Sequence, residues 1–197
     1  MNTLPPSWIA LAGILIFALL AVAFWSSSRK KAQTLRLQQR FGPEYDRAID
    51  ELGGRTKAES ELKVREKRVE LLRITALAPA EATRFRQAWN AMQSRFVDDP
   101  KGVVVQADLL VRELMQKRGY STGDFERRAA DISVDHSEMV ESYRVAQAIA
   151  IRDQRGEANT EELRMAVVHY RAIFDELLEV RAAKEEVLAA GQLPVHS

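Results

Sequence analysis

The sequence predicts an all-α protein, with a single N-terminal transmembrane helix followed by a helical bundle that includes a short coiled-coil segment. Three observations carry this. From Trp8 to Trp25 the chain reads WIALAGILIFALLAVAFW, 18 residues without a charge, an amide or a hydroxyl. Beyond that run, Gly and Pro fall at intervals that suit helix boundaries, and no stretch sustains the two-residue alternation with turn dipeptides that a sheet needs. The 197 residues include no Cys, which removes disulfide stapling, thiolate nucleophiles and Cys-based metal centres.

As a helix the apolar run is about 27 Å long, close to the roughly 30 Å hydrocarbon thickness of a bilayer. Trp8 and Trp25 bracket it, where indole rings settle at the two headgroup interfaces with the apolar body buried and the N–H wet. The preceding segment MNTLPPS holds no Lys or Arg, whereas Arg29, Lys30 and Lys31 follow the run closely. Basic residues bias their flank toward the cytoplasm, so the sequence predicts a single-pass protein of the cytoplasmic membrane with its large domain inside. The alternative is a signal peptide cleaved after Ala21-Val22-Ala23, leaving an exported domain that starts near Phe24, or an anchored domain facing the periplasm. The missing positive charge before the run weighs against cleavage.

The remaining elements follow in order. A juxtamembrane helix from about Ser28 to Phe41 ends at Gly42, and Pro43 suits the first turn of a short helix to Leu52. After Gly53-Gly54, a helix from about Arg55 to Leu77 carries Ala58, Leu62, Arg65, Val69, Leu72 and Ala76 at alternating spacings of four and three, the seam of a short coiled coil. That seam suits packing on the chain's own domain or self-association into a homo-oligomer. Pro79 opens a helix to about Phe96 with Phe85, Trp89, Met92 and Phe96 along one face. Asp98-Asp99-Pro100 reads as a cap and first-turn proline for a helix to Arg118, with Val103, Ala107, Leu110, Val111 and Leu114 as its buried stripe. Gly119 stops it. A short helix from Asp124 to Ile132 and a longer one from about Asp135 to Arg155 come next. Asn159 with Glu162 resembles a capping box that launches a last helix to Ala190, in which Tyr170, Phe174 and Leu177 share a stripe. The organisation is therefore residues 1–28 as anchor and flanks, 29–77 as basic juxtamembrane helices, 78–190 as the bundle, and 191–197, including His196, as a frayed tail.

Charge separates along this scaffold. Arg29 to Leu77 holds 13 basic and 8 acidic residues, and Ala78 to Ser197 holds 16 and 20. Basic juxtamembrane residues attract anionic lipid at about 1 kcal/mol each near the surface, a role that suits Arg29, Lys30 and Lys31. The formal net charge of +1 lacks the basic excess of a general nucleic-acid binder, so no nucleic-acid partner is expected.

No phosphate-binding glycine loop, nucleophile elbow, His-Glu-x-x-His or EF-hand loop occurs. No catalytic residue or cofactor is assigned. One constellation stands out, where Asp131, Asp135 and His136 crowd a helix–loop–helix junction; carboxylates beside an imidazole can ligate a metal or perform acid–base chemistry. The plainer reading makes Asp135 or Ser133 a helix cap with His136 in the first turn that follows. His169 lies one residue off the aromatic stripe of the last helix.

Segments Arg40–Ala48, Phe96–Pro100, Gly123–His136 and His169–Phe174 resemble those of a group of bacterial helical proteins that also carry an N-terminal hydrophobic segment. The resemblance covers most of the soluble domain and implies a bacterial origin. The group has no established activity, so no functional residue carries over. Two function classes are expected from the residues. The first is a membrane-anchored helical interaction or scaffold protein that recruits a protein partner. The alternative is an enzyme or a small-ligand or metal binder with its site around Asp131, Asp135 and His136.

Overall fold

The computed structural model describes residues 31–178 in full, together with Trp25, Ser28 and Arg29, and the helical backbone alone over 179–190. The proposed span up to Phe24, Lys30 and the 191–197 tail lie outside the described residues. Among the described residues every regular element is a helix, and no helix is long and apolar enough to cross a membrane.

Contacts divide the chain into two compact units, Met1–Arg40 and Phe41–Ser197. Helix α1 covers residues 31–41, of which 31–40 belong to the first unit. Just before it the Arg29 guanidinium lies over the Trp25 ring, 3.6 Å from its centroid, a cation–π pair that joins an aromatic and a basic residue four positions apart.

The second unit holds α2 (Pro43–Leu52), α3 (Arg55–Leu71), α4 (Pro79–Gln93), α5 (Pro100–Arg118), α6 (Phe125–Asp135), α7 (Ser137–Gln154) and α8 (Thr160–Ala190). Helices α2 and α3, which the sequence groups with the juxtamembrane segment, thus belong to the same compact unit as the bundle. Local capping chemistry fixes several of the starts. Asp99 Oδ1 accepts from the Gly102 amide at 2.9 Å, and Asp124 Oδ1 accepts from the Arg127 amide at 2.8 Å. Asn159 and Glu162 form a complete capping box, each side chain accepting from the other's backbone N–H, at 2.9 and 3.0 Å.

The predicted helix from Arg55 to Leu77 stops six residues earlier, at Leu71. Leu72 is extended, with φ −73° and ψ 136°. The backbone groups of the following segment are satisfied by another element: the Thr75 amide donates to the Arg118 carbonyl at 2.9 Å, and Arg118 Nε donates back to the Thr75 carbonyl at 3.3 Å. Pro79 also disfavours the helical conformation at Ala78, which lies at φ −64°, ψ 146°. The supposed coiled-coil seam ends accordingly. Ala58, Leu62 and Val69 are buried within the chain, while Ala76 lies on the extended segment and is exposed.

Gly119 makes the close approach of this segment to α5 workable. It caps α5 at φ +93°, a left-handed conformation that costs other residues strain, and a Cβ there would sit 2.4 Å from the Arg73 carbonyl oxygen. The segment delivers Leu77 into the core and α4 onto α5 and α8.

The core lies among α4, α5, α7 and α8, where α7 and α8 form the most extensive helix pair. Trp89 stacks on Phe174 with ring centroids 4.6 Å apart, and Tyr143 contacts Phe125 at 4.7 Å and Tyr170 at 6.4 Å. The predicted aromatic face of α4 is buried at Phe85, Trp89 and Met92; the helix ends at Gln93, leaving Phe96 in a turn at the rim. Trp89 Nε1 is buried without an acceptor. Trp89→Ala is expected to lower unfolding stability by about 3–5 kcal/mol. Trp89→Phe should cost much less, because it keeps the ring stack and removes a desolvated donor. Urea denaturation of the two variants checks this; equal losses would contradict the packing described.

Candidate functional site

The junction between α6 and α7 is built differently from a plain capped turn. His136 is at once the C-cap of α6 and the N-cap of α7, with φ −136° and ψ 53°, and its side chain makes no cap bond to α7. Ser133 does not cap α7 either; its hydroxyl donates to the Ala130 carbonyl within α6 at 2.7 Å. Freed from capping, the His136 ring turns toward α8, where Nδ1 lies 2.9 Å from Glu176 Oε1. With the proton assigned to Nδ1, the ring donates to the carboxylate and keeps its Nε2 lone pair available.

Beside this pair opens a cleft of about 420 Å³, lined by Thr75, Arg118, Tyr120, Asp135, His136 and Glu176 among others. Four separate elements supply those residues: the extended segment, the end of α5 with the turn after it, the α6–α7 junction, and α8. Arg118 is only 5 % exposed and Tyr120 only 4 %. The guanidinium donates through Nε to the Thr75 carbonyl and through Nη1 to the Leu177 carbonyl at 2.8 Å. No carboxylate pairs with it among the described residues. It lies 5.8 Å from the centre of the Tyr120 ring. Burial pushes the Tyr120 phenol up to about 12, with Arg118 acting in the opposite sense and Asp135, Glu176 and Asp131 reinforcing the rise. The hydroxyl therefore keeps its proton at neutral pH and serves as a donor.

Of the three residues expected to act together, the structure brings Asp135 and His136 to this cleft and sends Asp131 elsewhere. Asp131 is fully buried and accepts from Arg68 Nε of α3 at 2.7 Å through Oδ1, while Oδ2 is buried without a partner. Crowding at the junction suggested a common site, but α3 covers the Asp131 position through Arg68. Consistent with that separation, no group of three His, Asp or Glu side chains suited to hold a metal occurs among the described residues. His169 is half-buried on α8 and takes no part in the cleft. Arg118, Tyr120 and Glu176 escaped sequence reasoning, since a helix end, a turn aromatic and a half-buried helix glutamate carry no local signal of convergence.

A second polar region lies between α2, α3, α6 and α7. Glu44, buried on α2, accepts from Arg144 Nε of α7 at 3.3 Å and lies 3.8 Å from Arg65 of α3. Arg144 also donates to Glu126 at 2.8 Å. Burial works against the Arg144 charge, and the hydrogen bonds to Glu126 and Glu44 outweigh it, so its proton is held more firmly than usual. These ion pairs border a cleft of about 500 Å³ that Arg47, Arg68 and Arg127 also line. Every other cation there except Arg127 faces a carboxylate, and the region reads as the seam by which a highly charged α3 docks.

No protein family matches the chain, and neither a curated protein nor a solved structure does.

Removing one partner of the Arg68–Asp131 pair strands the other. Arg68→Ala leaves a buried carboxylate unpaired and is expected to cost about 3–5 kcal/mol, whereas Arg68→Met with Asp131→Leu should recover most of that loss. Chemical denaturation of the single and double variants checks the sign; a neutral Arg68→Ala would contradict the pairing.

Proposed function

We propose that this protein is a membrane-anchored helical interaction or scaffold protein of the bacterial cytoplasmic membrane, its bundle facing the cytoplasm. The observation that carries the reading is the uninterrupted apolar run from Trp8 to Trp25 followed by Arg29, Lys30 and Lys31. Its apolarity matches hydrocarbon, and its one-sided basic flank favours an orientation with that flank in the cytoplasm. The Arg29–Trp25 stack suits a headgroup boundary, where an indole and a guanidinium both have an apolar face and a polar edge. In this role the span sets location, the basic flank meets anionic lipid, and the helical unit from Phe41 onward presents a surface to a protein partner.

A carbonate wash should leave the full-length protein in the membrane fraction, since removing electrostatic contacts does not extract a buried apolar helix. A reporter fused after Ser197 that works only in the cytoplasm should be active. Replacing Arg29, Lys30 and Lys31 by neutral residues while adding lysines before Trp8 should weaken or reverse that result. Release into the soluble fraction with a new N-terminus near Phe24 would refute the anchor, and export of the unmodified fusion would refute the orientation.

A second reading, a small-ligand binder, is favoured by one specific observation: the cleft at the α6–α7 junction, where Arg118, Tyr120, His136 and Glu176 converge from separate elements. The two readings are compatible, since a tethered domain can also bind a small molecule.

A further inference from the structure

Resting on that second reading, we infer that the cleft between the extended 72–78 segment, the end of α5, the α6–α7 junction and α8 binds a small zwitterion of the α-amino-acid class. Its volume of about 420 Å³ falls in the range of small-molecule sites, roughly 300–1,000 Å³. Arg118 is a buried cation that no carboxylate neutralises among the described residues, and carbonyl oxygens occupy only its Nε and Nη1. Burying a charge without a counter-charge is costly, so a carboxylate entering the cleft beside Nη2 gains more there than on an open surface.

Tyr120 adds a second donor for the same group. The residue is only 4 % exposed, it lines the cleft, and among the described residues no hydrogen bond engages its hydroxyl. The opposite requirement comes from the other wall. Glu176 brings negative charge, and His136, 9 % exposed, offers the Nε2 lone pair in the tautomer whose Nδ1–H faces Glu176. A simple dianion would be repelled by that wall and a simple amine would leave Arg118 uncompensated. A molecule with a carboxylate and an ammonium a few ångströms apart satisfies both: the carboxylate accepts from Arg118 and Tyr120, and the ammonium donates to His136 Nε2 and toward Glu176.

The test titrates the full-length protein in detergent micelles with each standard α-amino acid, following backbone amide shifts and measuring affinity by calorimetry. For the tightest binder, the matching amine without the carboxylate and the matching acid without the amine are titrated alongside. The expected result is binding with shifts at Thr75, Arg118, Tyr120 and His136, and affinities for the amine and the acid each weaker by roughly tenfold or more, the effect of losing one charged hydrogen-bonded group. Tyr120→Phe, which removes a hydroxyl that bonds no protein group among the described residues, should weaken amino-acid binding by roughly tenfold while the unfolding midpoint stays close to that of the parent. If amine or acid binds as tightly as the amino acid, the zwitterion assignment is overturned while the cleft remains a ligand site. If none of the three binds, or the shifts map elsewhere, both the assignment and the ligand-binding reading fail. The comparison of the three ligands on the unaltered chain decides the matter even where Tyr120→Phe proves unstable.

Discussion

Much of the Phe41–Ser197 unit depends on one buried arginine. Arg118 ends α5, where the helix dipole favours a cation, and its guanidinium reaches the carbonyls of Thr75 and Leu177. It thereby joins three stretches of chain that are distant in sequence. Gly119 then turns the chain in a conformation with no room for a Cβ against Arg73. With the 72–78 segment pinned, Leu77 enters the core and Pro79 starts α4 at the place where Trp89 meets Phe174. The same pinned segment forms one wall of the cleft that holds His136 and Tyr120. A hydrogen-bond donor with a fixed fork geometry is needed for this; an ammonium on a flexible stem does not span both carbonyls in the same way.

Two kinds of chemistry hold the helices, and they divide the fold. Helices α4, α5, α7 and α8 meet through apolar and aromatic side chains, whose burial supplies most of the driving force. Helix α3 is mostly charged and meets its neighbours through Arg65, Arg68 and the carboxylates of Glu44 and Asp131, with Ala58, Leu62 and Val69 as its apolar contribution. Buried ion pairs add little net stability against desolvation, yet each one penalises any register that leaves a charge alone. Helix α3 is therefore positioned by its charges more than it is stabilised by them.

Which parts were legible in the sequence follows from the range of the interactions. The caps at Asp99, Asp124 and Asn159 with Glu162 act over three residues, and the starts of α5 and α8 were readable for that reason. The α4 and α8 stripes were readable because Trp89 and Phe174 repeat with neighbours at helical spacing. The end of α3 was not, because heptad-like spacing continues through Leu72 and Ala76 while the deciding partner is Arg118, 43 residues away. The candidate site was half legible. Asp135 and His136 were singled out from their crowding at a junction, but Glu176 lies 40 residues further on, and Asp131 was claimed by Arg68 from 63 residues upstream.

The most direct measurement of the Arg118 clasp is hydrogen–deuterium exchange at the Thr75 amide in the parent chain and in Arg118→Lys. In the parent, that amide donates to the Arg118 carbonyl at 2.9 Å and should be well protected for a residue outside any helix. In Arg118→Lys, protection at Thr75 should fall sharply, with the paired amides of α7 and α8 losing far less. Unchanged protection at Thr75, together with unchanged global stability, would contradict the central place given to Arg118.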